Sequence, residues 1–127
     1  KGAYVVNLTS HESNVTLVAS GTEVELALKV QEKLKENNIH SKVVSMPCME
    51  LFDKQPEDYR KDILEENSLI ITLEAGSVVS WQKYIKNKGA NLGINKFGES
   101  APYKEVYKHF KLSEEDITNF IQKKLRE

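Results

Sequence analysis

The loop Ser20-Gly21-Thr22 is the stretch of this chain whose residue types and position best suit ligand binding. It follows an apolar segment at residues 15–20 and precedes a helical pattern, so it lies at a predicted helix N-terminus. Free N–H groups and the helix dipole favour an anion there. However, phosphate-binding loops normally have several glycines, and this one has a single glycine. Two interpretations stay open: an anion or regulatory site at Ser20, Gly21 and Thr22, or a helix cap that binds nothing.

The other reactive side chains form no catalytic or metal-binding set. His11, His40 and His109 are scattered, and no pair of them has metal-ligand spacing, whereas a zinc site needs three or four converging ligands. Cys48 is the only cysteine, and we interpret it as a buried or idle thiol. The Gly-x-Ser-x-Gly pattern of hydrolase nucleophiles does not occur. We therefore assign no catalytic residue and no metal ligand.

Five short apolar or β-branched segments are predicted to be strands. They lie at residues 3–8, 15–20, 42–46, 68–74 and 91–94. The second is apolar enough to be covered on both faces, as in a parallel sheet. Pro47 removes a backbone donor and ends the third strand.

Helical patterns alternate with these strands. The first begins with a capping box of Thr22 and Glu25, and it should end at residues 37–38, where asparagine tolerates the left-handed conformation. Further helical turns are predicted at residues 53–64, with Pro56 at a first helical position, and helices at 78–87 and 102–110. The last helix has Ser113 as its N-cap and a regular apolar face. That face consists of Ile117, Phe120, Ile121 and Leu125.

This alternation predicts one α/β sandwich with a mainly parallel sheet and helices on both faces. Only a short turn separates the first two strands, and such a turn cannot join parallel neighbours. The first strand should therefore run antiparallel to the second or lie apart at an edge. With 127 residues, the chain is interpreted as a single domain.

Bulk composition excludes several functional classes. The net charge of −1 disfavours a nucleic-acid or polybasic membrane surface, and no apolar run approaches the length of about 18 residues that a membrane span needs. A lone cysteine suggests a reducing compartment, and we expect a cytoplasmic protein. Residue 1 is lysine and a predicted strand begins within three residues, so we interpret the chain as part of a longer polypeptide.

Several motifs, in this order and spacing, give the chain a family resemblance. They are Val43-Val44-Ser45-Met46-Pro47, Leu51-Phe52-Asp53-Lys54-Gln55, Leu73-Glu74-Ala75-Gly76 with Trp81, and Phe97-Gly98-Glu99-Ser100-Ala101-Pro102. Together they resemble the C-terminal domain of transketolase. The resemblance implies a three-layer α/β/α sandwich whose five-stranded mixed sheet is mainly parallel, with an antiparallel first strand.

The resemblance also implies a function that belongs to the whole enzyme. Transketolases transfer two-carbon ketol units between sugar phosphates in the pentose phosphate pathway, with thiamine diphosphate and Mg²⁺ as cofactors. The family's Gly-Asp-Gly metal motif is missing, because none of the six glycines precedes an aspartate. We therefore expect a non-catalytic and inactive domain that binds no cofactor. Its expected partners are the N-terminal and middle domains of a homodimeric enzyme, with no nucleic acid and no membrane.

Alternatives stay open. The 1-deoxyxylulose-5-phosphate synthases and the beta subunits of 2-oxo acid dehydrogenases share this domain shape, although Tyr59-Arg60 and the Phe97–Pro102 motif look more like transketolase. A free-standing regulatory module that binds an anion at Ser20–Thr22 is a different class. A self-sufficient small enzyme is the weakest interpretation, because no nucleophile, base or metal set is visible.

Overall fold

The computed structural model describes residues 2–10, 13–21, 23–65, 67–74, 84, 89–93 and 114–126. The strands of this part are β1 (Tyr4–Leu8), β2 (Val15–Ala19), β3 (Ser41–Ser45), β4 (Leu69–Glu74) and β5 (Ala90–Gly93). Its helices are α1 (Glu23–Glu36), α2 (Met49–Asp53), α3 (Glu57–Ile63) and α4 (Glu114–Leu125). The helices predicted at 78–87 and 102–110 lie outside the described residues, except for Tyr84, as do Thr22 and Ser113.

The strands form one five-stranded sheet in the order β1-β3-β2-β4-β5. β2 pairs in parallel with both β3 and β4, and β4 pairs in parallel with β5. β1 pairs with β3 in the antiparallel sense and lies at one edge. The mixed sheet with an antiparallel first strand is therefore confirmed. Of the two placements open for this strand, the edge is correct, since its neighbour is β3 and not β2.

Helices cover both faces of the sheet, which completes the three predicted layers. Side chains of a strand alternate between faces. Leu17 of β2 lies in one core with α1 and α4, where Leu34 and Ile117 are fully buried. Val18, the next residue of β2, lies in the opposite core with Phe52 of α2 and Ile63 of α3. β2 is thus buried on both faces, as its apolar sequence predicts.

The first helix ends as its sequence predicts. α1 stops at Glu36, and Asn38 has φ of 61°, in the left-handed region. The Ile39 N–H donates to the Leu34 carbonyl at 2.9 Å and the Asn38 N–H to the Lys35 carbonyl at 3.0 Å. These two bonds form a Schellman motif, which satisfies carbonyls that the helix end would leave unpaired.

The segment after β3 corrects the sequence prediction in two details. Helical structure begins at Met49, earlier than the predicted 53–64, and its division into two short helices is within the prediction of one or two helical turns. Pro56 precedes α3 as its N-cap residue, so it is not the first helical residue. Its ψ of 150° is extended, while its carbonyl accepts the Arg60 N–H at 3.1 Å. Proline suits this site because it has no N–H to leave unpaired.

A buried lysine joins α3 to the sheet. Lys42 of β3 has a side chain that is 4% exposed. Its Nζ donates to the Asp62 carbonyl at 2.8 Å, near the end of α3, and to Glu65 Oε1 at 2.9 Å. A buried ammonium needs such partners, because burying a charge without them is costly. Lys42 therefore takes part in the packing of α3 against the sheet.

Among the described helices, none has the length and apolar character needed to cross a membrane.

Replacing Asn38 tests the helix end. Asn38→Ala should lower the free energy of unfolding by about 1 kcal/mol, because a Cβ without a compensating polar group disfavours φ near 60°. Asn38→Gly should be at least as stable as the native chain. Urea unfolding measures both. Asn37→Ala is the matched control, and it should cost less because it removes only an exposed hydrogen bond to the Lys33 carbonyl. Equal losses for Asn38→Ala and Asn38→Gly would contradict this account.

Replacing Lys42 tests the link between α3 and the sheet. Lys42→Met keeps most of the side-chain volume and removes both hydrogen bonds. We expect unfolding in urea to require about 2 kcal/mol less, the usual size for hydrogen bonds to a charged group. The loss is limited because Glu65 is 39% exposed and can regain water.

Lys61→Met provides the control for that measurement. Lys61 pairs with Glu57 on α3 at 3.1 Å, but both side chains are more than half exposed. Exposed pairs contribute little to stability, so the midpoint of unfolding should not move. If both variants unfolded at the same urea concentration as the native chain, the Lys42 contacts would not stabilise the fold.

Candidate functional site

The carboxyl ends of the parallel strands bring the predicted loop to one edge of the sheet. Ala19 of β2 is in register with Ser45 of β3 and Leu73 of β4. The Met46 N–H donates to the Ala19 carbonyl at 2.8 Å, so the chain leaves β2 and β3 side by side. The carboxyl ends of β2, β3 and β4 thus lie side by side at this edge, while the residues that follow β4 and β5 lie outside the described part of the chain.

This edge contains the point at which the chain changes direction across the sheet. From β2 the chain passes through α1 to β3 on one side. From β3 it passes through α2 and α3 to β4 on the other side of β2. In open α/β sheets, ligands bind in the crevice outside the carboxyl ends of the two strands that flank such a point. Here those strands are β2 and β4, which end at Ala19 and Glu74, and Ser20 follows β2 directly.

Ser20 and Gly21 form a turn whose carbonyl groups accept hydrogen bonds from the first N–H groups of α1. Gly21 is exposed with φ of 58°, and a Cβ there would meet nothing within 4 Å. The Glu23 N–H donates to the Ser20 carbonyl and the Val24 N–H to the Gly21 carbonyl, both at 3.2 Å. Two of the N–H groups that an anion would need are therefore engaged.

Charge at the start of α1 also acts against an anion. Glu23 and Glu25 lie in its first turn, where their carboxylates offset the positive end of the helix dipole. The helix begins at Glu23, as the capping box of Thr22 and Glu25 predicts. Thr22 itself is outside the described residues, so the anion site at Ser20, Gly21 and Thr22 stays a prediction.

The remaining reactive residues are not brought together. His40 is exposed ahead of β3, and Cys48 is exposed at the N-cap of α2, so the thiol is not buried. His11 and His109 lie outside the described residues. Within the described part of the chain, no group of three or more His, Cys, Asp and Glu side chains could hold a metal ion.

A second region, which the sequence analysis missed, fixes the start of the chain. We call it the N-terminal anchor and define it as Gly2, Ala3, Cys48, Phe52 and Tyr59. Gly2 has φ of 89°, and a Cβ there would collide with the Phe52 nitrogen and the Cys48 carbonyl. The Cys48 N–H donates to the Gly2 carbonyl at 3.1 Å, and the Tyr59 hydroxyl donates to the Ala3 carbonyl at 2.6 Å.

Contacts between aromatic rings hold the side chains of this anchor in place. The Phe52 ring lies 6.4 Å from the Tyr59 ring and 5.8 Å from the Tyr84 ring, the latter edge to face. The Tyr84 hydroxyl donates to Asp53 Oδ1 at 2.8 Å. Burial, together with that hydrogen bond, raises the pKa of Tyr84 above the usual tyrosine value. A glycine directly before the first strand was the available signal for this region.

Comparison with known proteins identifies the domain. A family profile for the transketolase-like C-terminal domain matches residues 2–113. The chain is 36% identical to a transketolase of Aquifex aeolicus over 125 residues, 98% of this chain and 18% of that protein. It is 38% identical to a chloroplastic transketolase of Solanum tuberosum over 120 residues, 92% of this chain and 16% of that protein.

Solved structures show the same relationship. A transketolase from Leishmania mexicana superimposes with a TM-score of 0.78 at 35% sequence identity, covering 98% of this chain and 18% of that one. The chain therefore spans less than a fifth of the length of these three proteins. Fold, family profile and sequence identity agree, and the chain belongs to the transketolase family, whose C-terminal domain it represents.

Proposed function

We propose that this chain is the C-terminal domain of a complete transketolase, which transfers two-carbon ketol units between sugar phosphates in the pentose phosphate pathway. The observation that carries the proposal is the match over 98% of this chain to 18% of a transketolase from Aquifex aeolicus. Such a match relates the whole chain to one part of a larger enzyme. Substrate transfer is accordingly proposed for the complete enzyme.

The proposed role of this domain is structural support, with the chemistry in the preceding domains. Thiamine diphosphate needs a divalent metal for its diphosphate, and no glycine of this chain precedes an aspartate as in the family's metal motif. The described residues also lack a group of metal-ligating side chains. Both observations support a domain that does not hold the cofactors, while thiamine diphosphate and Mg²⁺ bind elsewhere in the enzyme.

The proposed partners are the N-terminal and middle domains of the same polypeptide, within a homodimer. The balanced charge, −1 overall, supports contacts with protein rather than with nucleic acid or a membrane. We propose the cytoplasm as its location because the chain has a single cysteine. The Solanum tuberosum relative is a chloroplastic protein, so location differs among members of the family.

A second, regulatory role is favoured by one observation. Ser20 and Gly21 lie at the carboxyl end of β2, beside the position where α/β sheets bind ligands. We propose weak binding of a small anion by Ser20, Gly21 and Thr22. The occupied N–H groups and the two glutamates of the first turn limit its affinity.

Calorimetry tests whether the cofactors bind outside this domain. Titrating this chain with thiamine diphosphate and Mg²⁺ should give only the heat of dilution, and the chain should not transfer a ketol unit from a phosphorylated ketose to an aldose. The complete polypeptide should bind thiamine diphosphate and should transfer the ketol unit. Saturable micromolar binding of thiamine diphosphate by this chain alone would overturn the proposed role. A complete polypeptide without ketol transfer would overturn the proposed enzyme.

Titration with inorganic phosphate tests the anion loop. We expect phosphate to change the amide chemical shifts of residues 20–23 only, because the ligand would contact only the loop and the first helical N–H groups. Glu25→Gln should strengthen binding by removing a negative charge from the first turn. Glu32→Gln makes the same change two turns further along α1 and should leave the affinity unchanged. Identical spectra with and without phosphate would show that the loop is only a cap.

A further inference from the structure

β1 differs from its neighbours in exposure. Every residue of β1 is exposed, whereas every residue of β2 and β3 is buried. Most of the exposed large apolar side chains in the described part of the chain belong to β1. They are Tyr4 at 55%, Val5 at 39%, Val6 at 38% and Leu8 at 37%, and Leu51 of α2 is exposed at 46%. Apolar side chains that are exposed together on one edge strand often mark an interaction site.

The strand has few of the devices that protect a free edge. β1 is one of the two outermost described strands, and its sequence Tyr-Val-Val-Asn-Leu contains no charge and no proline. Natural edge strands are usually blunted by lysine, proline, a bulge or a covering element. A register shift between Val5 and Asn7 makes Val6 a bulge residue, which is the protection that β1 has. An apolar partner can therefore still lie against its side chains.

The N-terminal anchor fixes the residues that lead into this strand. Gly2 and Ala3 are buried and hydrogen-bonded to α2 and α3, and β1 begins at the next residue. Leu51 adjoins the same anchor, because a Cβ on Gly2 would lie 2.9 Å from its carbonyl carbon. Because the chain represents the C-terminal domain of a larger enzyme, a polypeptide that precedes Gly2 would join this domain beside β1.

We propose that β1 and Leu51 form the surface on which the domain preceding this chain in the same polypeptide docks. This inference rests on the proposed function. The occupant would present an uncharged apolar face, because the five residues of β1 carry no charge. A covalently joined neighbour has a high effective concentration, so a modest apolar contact suffices to hold it. A second copy of this chain would lack that advantage.

The test uses the complete polypeptide with a specific protease site inserted ahead of Lys1. After cleavage, gel filtration shows whether the C-terminal domain stays with the rest. We expect the native halves to stay together. Val6→Lys and Leu51→Lys should each raise the dissociation constant at least about tenfold, because the contact would bury an unpaired ammonium. Asn119→Lys, which adds the same charge on the exposed side of α4, should behave like the native protein.

The other outcomes overturn the proposal. Native halves that separate at once, or lysine variants that bind as tightly as the native domain, would place the contact elsewhere. A released domain that dimerises unless Val6 is replaced would assign β1 to a second copy. Equal thermal midpoints of the released native and variant domains exclude misfolding as the cause. Ketol transfer by the uncleaved native enzyme is measured separately, so failure of docking and failure of the proposed function give different results.

Discussion

Burial of β2 on both faces is the constraint on which the rest of the domain depends. Its five residues are all buried, and successive side chains enter two different cores. A parallel strand in this position needs covering elements above and below, and right-handed crossovers supply them on opposite faces. α1 therefore lies on one face and α2 with α3 on the other. The change of direction between β2 and β4, and so the position of Ser20, follows from that arrangement.

Polar side chains within these layers satisfy one another and make the packing specific. Thr16 of β2 shares a hydrogen bond of 2.8 Å with Ser68, and both are buried. Gln31 of α1 is 2% exposed, accepts from Asn7 of β1 at 2.8 Å and donates to the Ser41 carbonyl at 3.0 Å. Because Asn7 follows the bulge at Val6, this contact ties the register of β1 to α1. The edge strand is thus held in place through one of its polar residues while its apolar ones stay exposed.

Much of this fold can be predicted from local patterns, because those patterns are governed by short-range physics. The apolar runs of β2 and β4, the start of α1 at Glu23 and its end at Asn38 all follow from neighbouring residues. Pairing of β1 with β3 could not be derived, since it depends on contacts more than thirty residues apart, such as Tyr4 with Ser45. α2 was partly missed because it is short and Cys48, its N-cap, makes no side-chain capping bond.

The candidate site was predicted in position but not in chemistry. A mainly parallel sheet has the carboxyl ends of its strands at one edge, so the position of Ser20 at that edge could be predicted. The use of the Glu23 and Val24 N–H groups within the turn could not, because it depends on the conformation that Gly21 adopts. Lys42 shows the same limit, since a single lysine in a strand gives no sign that Asp62 and Glu65 will enclose it.

Two regions of this domain differ in a way that supports the proposed role. At the carboxyl edge, where α/β enzymes place reactive groups, the described loop has engaged N–H groups and acidic neighbours. After Gly2 and Ala3, by contrast, the N-terminal anchor leads into an uncharged, largely apolar strand whose five residues are exposed. A surface of that kind costs free energy while it faces water and gains free energy when a partner buries it. The exposed apolar strand therefore favours a neighbouring protein surface, which agrees with the proposed place of this domain in a larger enzyme.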